Sequence, residues 1–140
     1  MVVKAKRCCA RCTKQLSPSR QKLKYCYRCD AAVKKEQAEK SHRTRVAAVY
    51  GIVLGFYDAL LRYQLGRCAI CRRATGLKRR LAVDHDHACC PTLPACGECV
   101  RGLLCKPCNR MLGHGRDDPE FFDRAADYLR NPPAKKVLAK

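Results

Sequence analysis

The sequence has no tryptophan, and aromatic residues make up only 6% of it. A chain of 140 residues this poor in large apolar side chains buries a thin core, and such chains need a covalent or metal staple. Long hydrophobic runs are also missing. None approaches the roughly 20 apolar residues that cross a bilayer, which excludes a spanning segment. The basic start, Met1-Val2-Val3-Lys4, is not followed by an apolar stretch and a small-residue cleavage site, so no secretory leader is expected. The expected compartment is the cytoplasm, where thiols stay reduced. Acidic residues are the third scarcity: 12 against 30 Lys and Arg, for a net charge of +18. That excess points to a polyanionic partner, with a merely solubilising basic surface as the plainer alternative. Charge alone does not separate DNA from RNA or from an anionic membrane surface.

What the chain does have is cysteine, 13 residues of it. Repeated Cys-x-x-Cys pairs in a reducing compartment favour zinc over disulfides, and the odd total argues against a closed disulfide framework. Cys9, Cys12, Cys26 and Cys29 flank a Ser17-Pro18-Ser19 turn and read as a zinc-ribbon-like module over residues 1–29. The alternative is a disordered basic arm, and Cys8 competes with Cys9 as first ligand. Cys68, Cys71, Cys105 and Cys108 form the strongest pattern. Two such knuckles close a tetrahedral site with no open position, so this zinc is structural. Each four-thiolate site carries about −2, so two of them lower the charge from +18 to about +14. Cys89, Cys90, Cys96 and Cys99 could build a third site, although adjacent Cys89 and Cys90 make its geometry awkward. Otherwise they are reduced loop thiols, or one pair borrows a ligand such as Cys8.

Between the knuckles the chain alternates helix, strand and turn signals. Residues 30–50 predict a polar basic connector helix, capped by Asp30 and ended by Gly51, with Val46, Val49 and Tyr50 as its one sticky face. Helical spacing of Leu54, Tyr57, Leu60, Leu61 and Gln64 predicts a helix over Leu54–Leu65, stopped by Gly66. Leu81-Ala82-Val83 suits a strand, and Val100-Arg101-Gly102-Leu103-Leu104 a second strand or a turn. Pro107 opens a helix that Gly113 ends. Asp118-Pro119-Glu120 starts another, over 119–130, that turns Phe122, Ala125, Ala126 and Leu129 inward. The main module is expected to span 51–130, followed by a basic flexible tail over 131–140.

The chemistry concentrates in Asp84-His85-Asp86-His87, at the end of a predicted strand. Strand alternation puts Asp84 and Asp86 on one face and His85 and His87 on the other, unless a bulge re-aims them. Asn109 directly follows zinc ligand Cys108, so the zinc pins it relative to the strands. Oxygen donors such as Asp84 and Asn109 suit a hard divalent ion, magnesium or manganese. A neighbouring imidazole can accept a proton from an attacking water. Together these make a one-metal phosphodiesterase. A cap-rich turn, or zinc binding through the two histidines, is the plainer reading of the tetrapeptide. Arg101 and Arg110 flank the site as candidate phosphate clamps, or serve surface solubility. His114 fits a helix-end role better than a third metal ligand.

Tyr50-Gly51-Ile52, Tyr57-Asp58-Ala59-Leu60-Leu61, Cys68-Ala69-Ile70-Cys71, Leu81-Ala82-Val83-Asp84-His85-Asp86-His87, Val100-Arg101-Gly102-Leu103-Leu104-Cys105 and Cys108-Asn109 together resemble the phage recombination endonuclease VII family, within the HNH superfamily. The resemblance covers about 50–130. It implies a small α+β, zinc-stabilised ββα-metal core with flanking helices. It further implies that Asp84 and Asn109 hold the catalytic metal, that His85 is the general base and that His87 assists. Cys68, Cys71, Cys105 and Cys108 would hold the structural zinc. The implied reaction is hydrolysis of a DNA phosphodiester to 5′-phosphate and 3′-hydroxyl ends. The cysteine loop after His87 departs from the pattern, the N-terminal knuckles lie outside it, and selectivity for branched DNA does not carry over.

The leading expectation is therefore a DNA endonuclease, with a non-catalytic zinc protein that binds nucleic acid as the alternative. A thiol redox protein lacks the βαβ context it needs. A homodimer, and phage packaging or replication proteins as partners, stay open.

Overall fold

The computed structural model describes residues 6–138, and over them the chain is a small α+β protein. Five α-helices accompany one two-stranded antiparallel sheet among the described residues. The first five and last two residues of the expected N-terminal module and tail lie outside that range. Contacts divide the chain into two units, up to Val46 and from Ala47.

Among its described residues the first unit buries little apolar surface besides its thiols, Leu16 and Val46. Cys9, Leu16 and Cys29 are buried, and Cys12, Tyr25 and Cys26 pack on them. Arg20 is buried beside this cluster. It reaches Asp30 at 2.9 Å, donates to the Tyr25 carbonyl at 3.0 Å and lies 4.1 Å over the Tyr27 ring. Helix α1 spans Tyr27–Tyr50, starting before the expected Asp30 cap. Asp30 lies in its first turn, with its N–H donating to the Cys26 carbonyl at 2.9 Å and its carboxylate held by Arg20 and Lys34. At the far end Gly51 takes φ +63°, and the Ile52 N–H reaches back to the Ala47 carbonyl at 3.1 Å. That bond satisfies a terminal carbonyl of α1 in a Schellman closure.

The second unit begins with the last turn of α1. Helix α2, Phe56–Tyr63, is shorter than its leucine spacing predicts, because Leu54 and Leu65 stay exposed. Its buried anchor is Tyr57, whose hydroxyl donates to the Leu81 carbonyl at 2.9 Å. Strand β1, Ala82–His85, pairs with β2, Val100–Leu104, so both predicted strands form. Gln64 grips β2 as a backbone mimic: its amide accepts from the Leu103 N–H and donates to the Leu103 carbonyl. Helix α3, Lys106–His114, carries Pro107 in its first turn and packs on β1. Helix α4, Pro119–Arg130, is capped by Asp118, whose side chain accepts from the Glu120 N–H. Its inward face is narrower than expected. Phe122 and Ala126 are half-buried, but Ala125 is exposed and Leu129 is 78% exposed. Where a flexible tail is expected, Pro133–Leu138 form a short helix, α5, with no buried residue.

No helix among the described residues is long and apolar enough to cross a membrane.

Candidate functional site

Three sets of four cysteines converge: Cys9, Cys12, Cys26 and Cys29; Cys68, Cys71, Cys105 and Cys108; and Cys89, Cys90, Cys96 and Cys99. Within each set every Sγ lies within 4.8 Å of the others. The Cys12–Cys26, Cys71–Cys105 and Cys89–Cys96 sulfurs are each 3.8 Å apart. Zinc–sulfur bonds of about 2.3 Å put the edge of a tetrahedron at about 3.8 Å, whereas a disulfide needs about 2.05 Å. All three sets could therefore hold a structural zinc ion. Cys9, not the exposed Cys8, completes the first of them.

The thiols are unequally prepared for metal. A backbone hydrogen bond from Cys26 pulls Cys9 down to about 6, and one from Ala74 pulls Cys71 down to about 6. Burial pushes Cys29 and Cys108 up to about 12. Each of these two sets thus pairs an easily ionised thiol with one that would have to release its proton to ligate a metal.

Asp84 and His85 lie at the end of β1. Regular pairing runs Val83 to Leu103 and Asp84 to Gly102, and then His85 faces Val100, leaving Arg101 as an additional residue on β2. The extra residue thus lies on β2, opposite the Asp84–His85 step of β1. Asp84 and His85 are both buried, at 6% and 9% exposure. Arg101 turns onto Asp84, with contacts of 2.8 and 3.2 Å to its two carboxylate oxygens. Those bonds hold the guanidinium well above its ordinary proton affinity. The same guanidinium reaches Asp117 at 3.1 Å, and Asp117 accepts or shares a proton with His87 Nδ1 at 3.1 Å. The His87 ring is 4.6 Å from that of His85, and the Tyr50 ring meets His85 edge-on at 5.7 Å. A chain of contacts thus links Asp84, Arg101, Asp117, His87 and His85.

Asp117 is the member that sequence reasoning missed. Its partners lie 16 and 30 positions away, so no local pattern announces it; only its left-handed φ of +55° marks it as unusual. The hydrogen bond from His87, with help from Arg101, holds its carboxyl below the usual 3.8. A depressed carboxylate stabilises the fold above its ordinary value and loses that contribution as pH falls below it. Asp117→Asn should therefore cost about 1 kcal/mol near neutrality and little at the acid end. Thermal melts of both proteins at neutral pH, with and without His87→Ala, check this: the cost should be largest with His87 present, and a variant that melts with wild type would sink the assignment.

Asn109 sits in the first half of α3, immediately after Cys108. Its Oδ1 and the Nε2 of His85 are buried side-chain atoms with no hydrogen-bond partner among the described residues. Asn109, Arg110 and His114 also line an open groove of about 1270 Å³, with Lys78, Arg79 and Arg80 along it. The groove's apolar contributors include Leu77, Met111 and Phe121.

The family model described as recombination endonuclease VII matches residues 41–131. The chain is 41% identical to the Gene 59 protein of Mycobacterium phage D29 over 137 residues, which covers 94% of this chain and 78% of that protein. It is 47% identical to the Gene 59 protein of Mycobacterium phage L5 over 105 residues, which covers 74% of this chain and 59% of that one. No solved structure matches.

Proposed function

We propose that this chain, which belongs to the recombination endonuclease VII family, is a metal-dependent DNA endonuclease of the HNH type. The order β1, β2, α3 supports a ββα-metal core, in which Cys68, Cys71, Cys105 and Cys108 would hold the structural zinc. One observation carries the reading. A buried polar atom without a partner costs about 1–3 kcal/mol, and here two such atoms, His85 Nε2 and Asn109 Oδ1, occur among the residues expected to react. Sites that wait for an incoming water, cation or phosphate tolerate that cost.

Asp84 and Asn109 would hold magnesium or manganese, hard ions that take oxygen donors. Such an ion supplies charge neutralisation at the phosphate. His85 Nε2 accepts the proton of the attacking water as the new phosphorus–oxygen bond forms and the bond to the 3′ oxygen breaks. His87, held by Asp117, orients the phosphate or the water. Arg101 neutralises Asp84 and Asp117 and is available to a competing phosphate oxygen; Arg110 contacts the backbone from α3. The charge of +18 brings DNA to this surface. Relatives in two mycobacteriophages support a phage product acting in the host cytoplasm.

The test is a panel of plasmid, linear, nicked and four-way-junction DNA with magnesium or manganese. Cleavage of at least one substrate, stopped by excess EDTA, is expected. Retention of DNA without any cutting would replace the reading by a non-catalytic zinc protein that binds nucleic acid.

A further inference from the structure

We propose that Cys89, Cys90, Cys96 and Cys99 bind a third zinc ion, and that this ion is a positioning element for His85. The second half rests on the reading of His85 as the reacting base. The first half stands on geometry alone.

The adjacent pair, awkward on paper, fits. Cys89 and Cys90 sulfurs are 3.9 Å apart and Cys89 and Cys96 sulfurs 3.8 Å, both close to the edge of a zinc–thiolate tetrahedron. The loop achieves this through a turn at Asp86, whose carboxylate accepts from the Ala88 N–H and whose carbonyl accepts from the Cys90 N–H. The Cys96 N–H then points at Cys90 Sγ from 3.4 Å, a donor placed for a thiolate. Apolar burial does not explain this convergence. Between Ala88 and Cys99 only Ala95 and Cys99 are buried, and no helix or strand forms. A loop with so little to bury needs a cross-link to hold four sulfurs together.

Two backbone hydrogen bonds tie the loop to the segments on either side of His85, at Asp86 and at Val49. The Asp86 N–H, one residue past His85, donates to the Cys99 carbonyl at 2.9 Å. On the other side the Ala95 N–H donates to the Val49 carbonyl at 2.9 Å. There Gly51 and Gly97 meet backbone to backbone: a Cβ on Gly51 would stand 2.4 Å from the Ala95 carbonyl oxygen, and one on Gly97 2.3 Å from that of Gly51. Tyr50, next in line, lays its ring edge against His85. The tetrad loop therefore holds both the backbone that follows the imidazole and the ring that packs on it.

Zinc content and the state of His85 can be read separately. Elemental analysis and native mass spectrometry of the purified protein should count three zinc ions per chain, and two in Cys96→Ser. With Cys89 and Cys96 exposed, the third ion should also leave first under a graded chelator. Cys96→Ser should keep its main thermal transition, lower kcat about ten- to hundredfold and leave KM for DNA near wild type. The His85 ring resonance, assigned by its loss in His85→Ala, should shift in Cys96→Ser. Cys96→His, which restores a ligand, should restore the zinc count, the resonance and the rate. Cys89→Ser serves the same purpose should Cys96→Ser fail to fold. Two zinc ions in the wild type would overturn the site. Loss of the third ion with an unmoved His85 resonance would overturn the positioning role. A wild type that cuts no DNA would instead count against the nuclease reading, while the zinc count and the resonance still decide this one.

Discussion

Replacing His85 by alanine should reduce DNA cleavage about 10²- to 10⁴-fold, the range over which a positioned general base acts. Zinc content should not change. His85 is no ligand in any of the three cysteine sets, and its buried Nε2 has no hydrogen-bond partner among the described residues. Truncation therefore leaves no protein group newly unsatisfied. The ring's contacts with Tyr50 and His87 are lost, a cost of about 1 kcal/mol that a folded domain survives. The measurement is a single-turnover cleavage assay beside a thermal melt and a zinc determination. Wild-type rates in the variant would remove His85 from the chemistry. A collapse of melting and cleavage together would make it a core residue.

The second large effect concerns the zinc ion that Cys68, Cys71, Cys105 and Cys108 would hold. Stripping it, or substituting Cys108→Ser, should unfold the second unit outright. The sheet there has strands of four and five residues, too little to persist alone. Its buried apolar residues are few: Tyr57, Leu81, Val83, Leu103 and Leu104, with Ala95 and thiols. Structural zinc contributes about 10–16 kcal/mol at neutral pH, comparable with the about 5–15 kcal/mol that separates folded from unfolded domains. Removing the metal thus removes a term as large as the whole margin. Circular dichroism and amide dispersion before and after a strong chelator measure it. A cooperative melt in the zinc-free chain would mean that the thin core suffices after all.

Much of this arrangement is legible in the sequence, and for identifiable reasons. Cysteine spacing is a local code, and it announces two of the tetrads; proline at the first turn marks α3 and α4, and Gly51 marks the end of α1. What escapes are features decided across the chain. Asp30 looks like a cap, yet it lies in the first turn of α1 with Arg20 on its carboxylate. Leu129 has inward spacing on α4 yet stands exposed. Asp117 has meaning only once β2 and the loop after β1 bring Arg101 and His87 to it. The juxtaposition of Cys89 and Cys90 reads as an obstacle because a sequence does not show the Asp86 turn that resolves it.

The bulge at Arg101 has a consequence for how this chain can change. Deleting that single residue would let β2 pair with β1 in unbroken register, and a regular ladder is the more stable one. The same deletion would bring Val100 up to the place of Arg101 and would remove the guanidinium that neutralises the Asp84 carboxylate. A selection for thermal robustness and a selection for cutting would therefore pull this position in opposite directions. The irregularity is maintained only as long as the chain is kept for what it does.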